Sequence, residues 1–294
     1  MPTYRPASLS YNAPAMKTPS RPPLPPEIRA DQSVELLQAL HILTRDGKLN
    51  QDSRRKLKQV YHLYQFIEPL LTEVMTRRGN LTLADHGAGK SYLGFILYDL
   101  YLKAQTSGHI YGIETRPELI ANAQDLAQRA GFERMSFLNL SAAASIRDAA
   151  LPDSIDIVTA LHACNTATDD AIRFALAKKA KHVVLVPCCQ AEVAATLRQT
   201  KAASLATNAL AELWRHPIHT REFGSLVTNV LRCLQLQSHG YQVTVTELVG
   251  WEHSMKNELI IASHTNAPRN TARKRLEEIL DTLNLNALRG RFLE

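Results

Sequence analysis

Between residues 81 and 187 the chain alternates short apolar runs with helical stretches, and that alternation limits the folds open to it more than any other feature. LTLAD (81–85), HIYGIE (109–114), MSFLNL (135–140), SIDIVTALHA (154–163) and HVVLVP (182–187) read as strands. The segments 91–104, 117–130 and 169–180 read as the helices between them, with Gly131 ending the second. Connections this short leave little choice but right-handed strand–helix–strand units, and so a doubly wound, mostly parallel sheet with helices on both faces.

After the fifth strand a longer helical stretch covers 191–213. A polar turn, WRHPIHTREF (214–223), follows it, and then a helix ends near Gly240. YQVTVTELV (241–249) and MKNELIIASH (255–264) close the unit as two strands joined at GWEHS. The expected fold is therefore a seven-stranded, Rossmann-like α/β sheet with an antiparallel last strand. That finish distinguishes class I methyltransferases from plain dinucleotide dehydrogenases.

The flanks read differently. Residues 1–31 hold many prolines and few large apolar groups, and PSRPPLPPEIR (19–29) predicts a disordered polyproline tether. Residues 32–77 form a helical lead-in: Val34, Leu36, Leu37, Leu40 and Leu43 mark one helix. Leu57 to Leu71 mark a second, with Asp52 or Ser53 as its expected N-cap. The methyltransferase-type domain is placed at 78–265, and a charged amphipathic helix at 266–294 is expected to dock on it. No stretch reaches the roughly 18 apolar residues that span a bilayer, and the first residues lack the apolar core of a signal peptide, so a cytoplasmic location is expected. Four cysteines, Cys164, Cys188, Cys189 and Cys233, are then thiols rather than disulfides.

Chemistry concentrates at the first strand-to-helix turn, Asp85-His86-Gly87-Ala88-Gly89-Lys90-Ser91. Gly87 and Gly89 let the backbone approach a ligand, and the helix beginning at Ser91 offers N–H groups to a carboxylate. Glu114 ends the second strand, where a carboxylate accepts ribose hydroxyl protons. GKS suggests a phosphate-binding loop, but that motif needs glycine where Ala84 stands. A dehydrogenase fingerprint needs glycine where Tyr92 stands. The expected cofactor is S-adenosylmethionine, held by Asp85, Gly87, Gly89 and Glu114. Ser141 and Ala142 after the third strand would read the adenine edge, and Leu161 would lie beside the sulfonium.

LADHGAGKSYLGFILYDLYL (83–102), ALHACNTATDDAI (160–172), VPCCQ (186–190) and WEHSMKNELIIA (251–262) together resemble a methyltransferase domain family. It occurs in bacterial proteins and in eukaryotic methyltransferase-like and glutathione-transferase-C-terminal-domain-containing proteins. The resemblance spans residues 54–264, including the lead-in KLKQVYHLYQFIEPLL (56–71), and implies the class I fold and the methyl donor. It implies no acceptor. Similar proteins often carry an acid after HAC, where this chain departs from the pattern with Asn165 and offers no carboxylate.

Three roles are open for the groups that the topology gathers at the ends of strands four and five. Cys188 or Cys189 is a candidate nucleophile of the kind that attacks C6 of a pyrimidine, with His162 or the basic surroundings lowering the thiol pKa. The alternative is that both thiols pack as small hydrophobes. His162, Cys164, Cys188 and Cys189 also contain enough donors for tetrahedral zinc, but not at the spacing of a zinc finger. Finally, His162, Asn165, Asp169 and Asp170 suffice to align an acceptor and take its proton, although Asp169 and Asp170 have a competing role at a helix N-terminus.

With a net charge of +6 the chain tolerates a polyanionic partner. Arg54, Arg55 and Lys58 on the lead-in helix, with Trp214, Arg215 and Arg221 in the WRHPIHTREF turn, are the candidate RNA contacts, and a solvated polar face is the alternative. Glu252, His253, Lys256 and Asn257 in the last hairpin would line the acceptor side. A protein or small-molecule acceptor, or a catalytically silent cofactor-binding adaptor, stays open.

Overall fold

Helical spacing after residue 33 produces two helices, each begun by a polar side chain. In the computed structural model, which describes residues 24–161, 165–188, 190–248, 258–265 and 270–293, α1 (Val34–Ala39) starts at Ser33. The Ser33 hydroxyl accepts the Leu36 N–H at 3.2 Å. α2 (Gln51–Arg78) starts at Asn50, whose side chain accepts the Ser53 N–H at 2.7 Å. The cap is neither Asp52 nor Ser53: the Ser53 hydroxyl is buried and donates to the His41 carbonyl instead. Gly79 ends α2 at φ +65°, a left-handed stop that glycine adopts without strain.

Strands and helices then alternate as β1 (Thr82–His86), α3 (Tyr92–Leu100), β2 (His109–Glu114), α4 (Pro117–Ala130) and β3 (Met135–Asn139). They continue through α5 (Ala142–Arg147), β4 (Ile157–Leu161), α6 (Ala167–Ala177), β5 (His182–Val186), α7 (Glu192–Thr207) and α8 (Pro217–Ser238). β6 (Tyr241–Glu247), β7 (Glu258–His264), α9 (Asn270–Thr282) and α10 (Arg289–Phe292) complete the chain. The sheet order is β3-β2-β1-β4-β5-β7-β6. β1 to β5 run parallel, and β7 lies between β5 and β6, antiparallel to both. This is the sheet of the class I methyltransferase fold. The crevice at the carboxyl ends of β1 and β4 is where strand order reverses, which is where such folds bind ligands.

Alternation along β1 sends Leu83 to one face and Ala84 to the other. Leu83 joins Leu57, Leu63, Phe95 and Phe137 under α2, α3 and α4. Ala84 joins Phe174, Leu185 and Leu236 under α6 and α8. A third apolar cluster, with Trp214, Leu231, Leu276 and Leu280, ties α7, α8 and α9 together. α7 and α8 cross closely at Gly224, where a Cβ would stand 2.8 Å from the Ala194 backbone nitrogen.

Three expectations need correction. Residues 24–31 are ordered rather than a free tether: Ile28 is buried, and the Arg29 guanidinium stacks 5.2 and 5.0 Å from the ring centres of Tyr61 and Tyr64. The helix expected over 91–104 ends at Leu100, with a 3-10 turn at Leu102–Ala104. WRHPIHTREF is not a loop, because Trp214 ends a 3-10 turn (Ala209–Trp214) and Pro217 opens the 22-residue α8. Proline suits a first helical position, since it has no N–H to leave unpaired. Among the described residues no helix is long and apolar enough to cross a membrane.

Candidate functional site

The turn between β1 and α3 is held open by three left-handed residues in alternation: Gly87 at φ +68°, Gly89 at φ +58° and Ser91 at φ +52°. The first two are conformations glycine adopts freely, and the third is costly for serine. The Ser91 hydroxyl is fully buried and has no hydrogen-bond partner, and the hydroxyl of the next residue, Tyr92, is also unpaired. Strain and orphaned polar atoms therefore gather at one turn, as they do where backbone geometry serves a ligand.

The two acids differ sharply. Asp85 is buried and accepts the Thr159 hydroxyl from β4 at 2.9 Å. Burial raises its carboxyl to about 7, although hydrogen bonds from Thr159 and the Gly94 N–H pull the other way. It thus satisfies an otherwise free N–H in the first turn of α3 and sits beneath the glycine turn. Glu114 lies at the edge of that turn and accepts the Gly89 N–H at 2.8 Å. Burial would raise its carboxyl too, but the Arg116 side chain and the N–H groups of Gly89, Arg116 and Thr115 outweigh that and hold it at about 2. Glu114 is an anion at any working pH.

His86, the last residue of β1, packs its ring 5.3 Å from that of Phe174. It is 5% exposed, and neither ring nitrogen has a partner. Burial lowers its pKa to about 4, against the pull of Glu114, so the ring is neutral and keeps one donor and one acceptor. Sequence reasoning passed over His86, Thr159 and Arg116. His86 reads as part of the turn after LTLAD, Thr159 sits inside a strand that reads as apolar, and Arg116 falls in the junction before α4.

Ser141 and Ala142 follow β3, but the Ser141 hydroxyl caps α5, accepting the Ala144 N–H at 3.3 Å. Leu161 ends β4, half-buried. His162, Cys164 and Cys189 lie outside the described residues, as do Glu252, His253, Lys256 and Asn257. Cys188 is half-buried, two residues beyond β5. Burial pushes the Cys233 thiol up to about 12, away from the thiolate form that a nucleophile uses.

Under these loops runs a buried polar network. Arg232 on α8, 1% exposed, donates from Nε to Asp169 Oδ1 at 2.6 Å and from Nη2 to Asp169 Oδ2 at 3.1 Å. It also donates to the Asn165 carbonyl at 2.9 Å and to Asn229 Oδ1 at 3.2 Å. Asn229 accepts from Gln190 at 2.7 Å and donates to Glu258. The loop after β4, the loop after β5 and the start of β7 are thereby tied to one helix. Asp169 stands in the first turn of α6 as expected, but its carboxylate faces Arg232, while Asp170 pairs with Arg173 at 3.2 Å.

The expected RNA footprint is partly withdrawn. Trp214 is fully buried and stacked on Phe223, with ring centres 5.1 Å apart, so it has no face to offer a base. Arg215 and Arg221 are exposed but pair with Glu212 and Glu222. Arg54, Arg55 and Lys58 are exposed on the first turns of α2, where Arg54 pairs with Glu27 and Arg55 with Asp52.

An adenosyl-methionine ligand suits what is present: a glycine turn free of side chains, a permanent anion beside it and unpaired polar atoms beneath it. Glu114 would hold the ribose, with the N–H groups at the start of α3 toward the methionine carboxylate. Residues 55–196 match a family described as a methyltransferase domain. No curated protein matches the chain. Among solved structures, a caffeoyl-CoA O-methyltransferase-like protein from Staphylococcus aureus is 10% identical, with a TM-score of 0.42 over 79% of this chain and 92% of that one. Magnesium protoporphyrin IX methyltransferase from Synechocystis is 14% identical, with a TM-score of 0.41 over 78% and 94%. Precorrin-6y C5,15-methyltransferase from Geobacter metallireducens is 19% identical, with a TM-score of 0.35 over 63% and 80%. None of these three bears on the acceptor. Residues 55–196 are similar to a methyltransferase domain, and the chain, with this sheet and this turn, is an S-adenosylmethionine-dependent methyltransferase.

Proposed function

We propose that the acceptor is RNA, bound across the carboxyl ends of β4 and β5. The observation that carries this reading is the charge: a net +6, with Arg54, Arg55, Lys56 and Lys58 all exposed on the first two turns of α2. Clustered cations of this kind supply the salt-dependent part of nucleic-acid binding. Asp85, Gly87, Gly89 and Glu114 form the cofactor side, with Ser141, Ala142 and Leu161 at its rim. When bound, the cofactor supplies an electrophilic methyl group.

The chain's own share is alignment, exclusion of water and proton removal. His162 and the thiols of Cys188 and Cys189 are the groups proposed to face the acceptor. A thiolate there would suit a carbon acceptor, and His162 alone a nitrogen or oxygen.

The test uses the full chain and tritiated S-adenosylmethionine, with total RNA, total protein and a small-molecule extract as separate acceptors. Label in RNA, reduced at least tenfold by a Glu114→Ala substitution and by reversing Arg54 and Arg55 to Glu, is the expected result. Label confined to protein or to small molecules replaces RNA with that class. Binding of S-adenosylmethionine with no transfer to any of the three favours the adaptor reading.

A further inference from the structure

Glu114 has more donors than its carboxylate has places for. Oε1 accepts the Thr115 N–H at 2.9 Å, the Thr115 hydroxyl at 3.2 Å, the Arg116 N–H at 3.2 Å and Arg116 Nε at 3.1 Å. Oε2 accepts the Gly89 N–H at 2.8 Å and Arg116 Nη2 at 3.1 Å. An ionised carboxylate has about four lone-pair sites. Six contacts fill them, and a ribose diol would bring two further O–H donors. Something has to leave before the diol can bind.

Backbone geometry decides what can leave. The Gly89 N–H belongs to the glycine turn. The N–H groups of Thr115 and Arg116 belong to the junction that leads from β2 into α4, where Arg116 is the N-cap residue. None of these moves without remaking the turn or the helix start, and the Thr115 hydroxyl, which can rotate away, frees one position on Oε1 where the diol needs two. The Arg116 side chain is 58% exposed, and its fork of two hydrogen bonds departs as a unit by side-chain rotation. It also lies over the turn: Nη2 would be 3.8 Å from a Cβ built on Gly89.

We propose that Arg116 is a built-in competitor for the cofactor's ribose, its guanidinium occupying on Glu114 the two positions the diol needs. This rests on Glu114 as the ribose acceptor. Cofactor binding is then an exchange of two donors for two others. The affinity measured is the intrinsic affinity reduced by the fraction of molecules whose arginine has swung out. Glu114 is buried but the Arg116 guanidinium is exposed, so salt weakens the pair from the arginine side and favours the open site.

The test is calorimetric titration of the full chain with S-adenosylhomocysteine at 50 and 500 mM NaCl, for wild type, Arg116→Ala, Arg116→Lys and Glu114→Gln. Removing the competitor should tighten binding in Arg116→Ala by about 3–10-fold at low salt, the amount expected if a tenth to a third of wild-type sites are open. The gap should narrow at high salt as wild-type affinity rises. Arg116→Lys, which cannot fork, should fall between the two. Equal or weaker binding by Arg116→Ala at low salt overturns the proposal. If Glu114→Gln binds as tightly as wild type, or wild type does not bind, the ribose assignment itself falls. A loss in Glu114→Gln without a gain in Arg116→Ala removes the competitor alone.

Discussion

Individual residues at the cofactor turn have opposed titrations. Asp85 has a folded pKa of about 7, well above the ordinary 3.8, so its contribution to stability is present below 3.8 and is lost as pH rises through 7. His86 has a folded pKa of about 4, below the ordinary 6.5, so its contribution is present above 6.5 and is lost as pH falls through 4. Asp85→Asn keeps an acceptor for the Gly94 N–H and never ionises. It should therefore melt higher than wild type at pH 8, with the advantage shrinking toward pH 5. A melting difference independent of pH would show that Asp85 does not titrate in this range. The sequence made the two acids look alike, each ending a strand before a turn. What separates them is three-dimensional: Thr159 comes from β4, 74 positions away, and closes Asp85 under the turn.

Secondary-structure elements were legible where period and punctuation agreed. Five apolar runs became β1 to β5, and Gly131 ended α4 in a left-handed conformation as expected. Legibility failed where charge or polarity was buried. WRHPIHTREF reads as a solvated turn because tryptophan, arginine and histidine share it. In the fold Trp214 faces inward, and the charged groups pair locally, Arg215 with Glu212 of the 3-10 turn and Arg221 with Glu222 on α8. Arg232, which nothing in the sequence singles out, is sealed against Asp169. Removing one member of such a pair strands the other. Arg232→Met should therefore cost about 3–5 kcal/mol in urea unfolding, and the double change with Asp169→Leu should recover most of it. A single variant that loses less than about 1 kcal/mol would mean that water reaches Asp169, because the typical surface pair is worth no more than that.

Across the whole molecule, the C-terminal helices are part of the packing that supports the site. Leu276 and Leu280 of α9 are fully buried against α8, and Arg291 reaches Glu192 at 2.8 Å and Asp169 at 3.8 Å. The sequence reads as one charged amphipathic helix here, and α9 covers Asn270–Thr282 of it, but its periodicity could not say which surface it meets. α8 is covered by α9 on one side and supplies Arg232 to the network on another, so damage at α9 should travel. Leu276→Ala is expected to lower stability by about 2–5 kcal/mol, the usual range for emptying a buried leucine site, as read by chemical denaturation. Near-wild-type stability would show that α9 is peripheral.

Trp214, which the fold takes away from solvent, becomes a reporter instead. The chain has two tryptophans, and Trp214 is sealed beside Phe223 within the cluster formed by α7, α8 and α9. Replacing Trp251 with phenylalanine leaves a single emitter whose spectrum should be blue-shifted, resistant to iodide quenching and unchanged by S-adenosylhomocysteine. Its emission would follow the unfolding of the C-terminal helices, while any change on ligand binding would show that the cofactor turn and that cluster are mechanically linked.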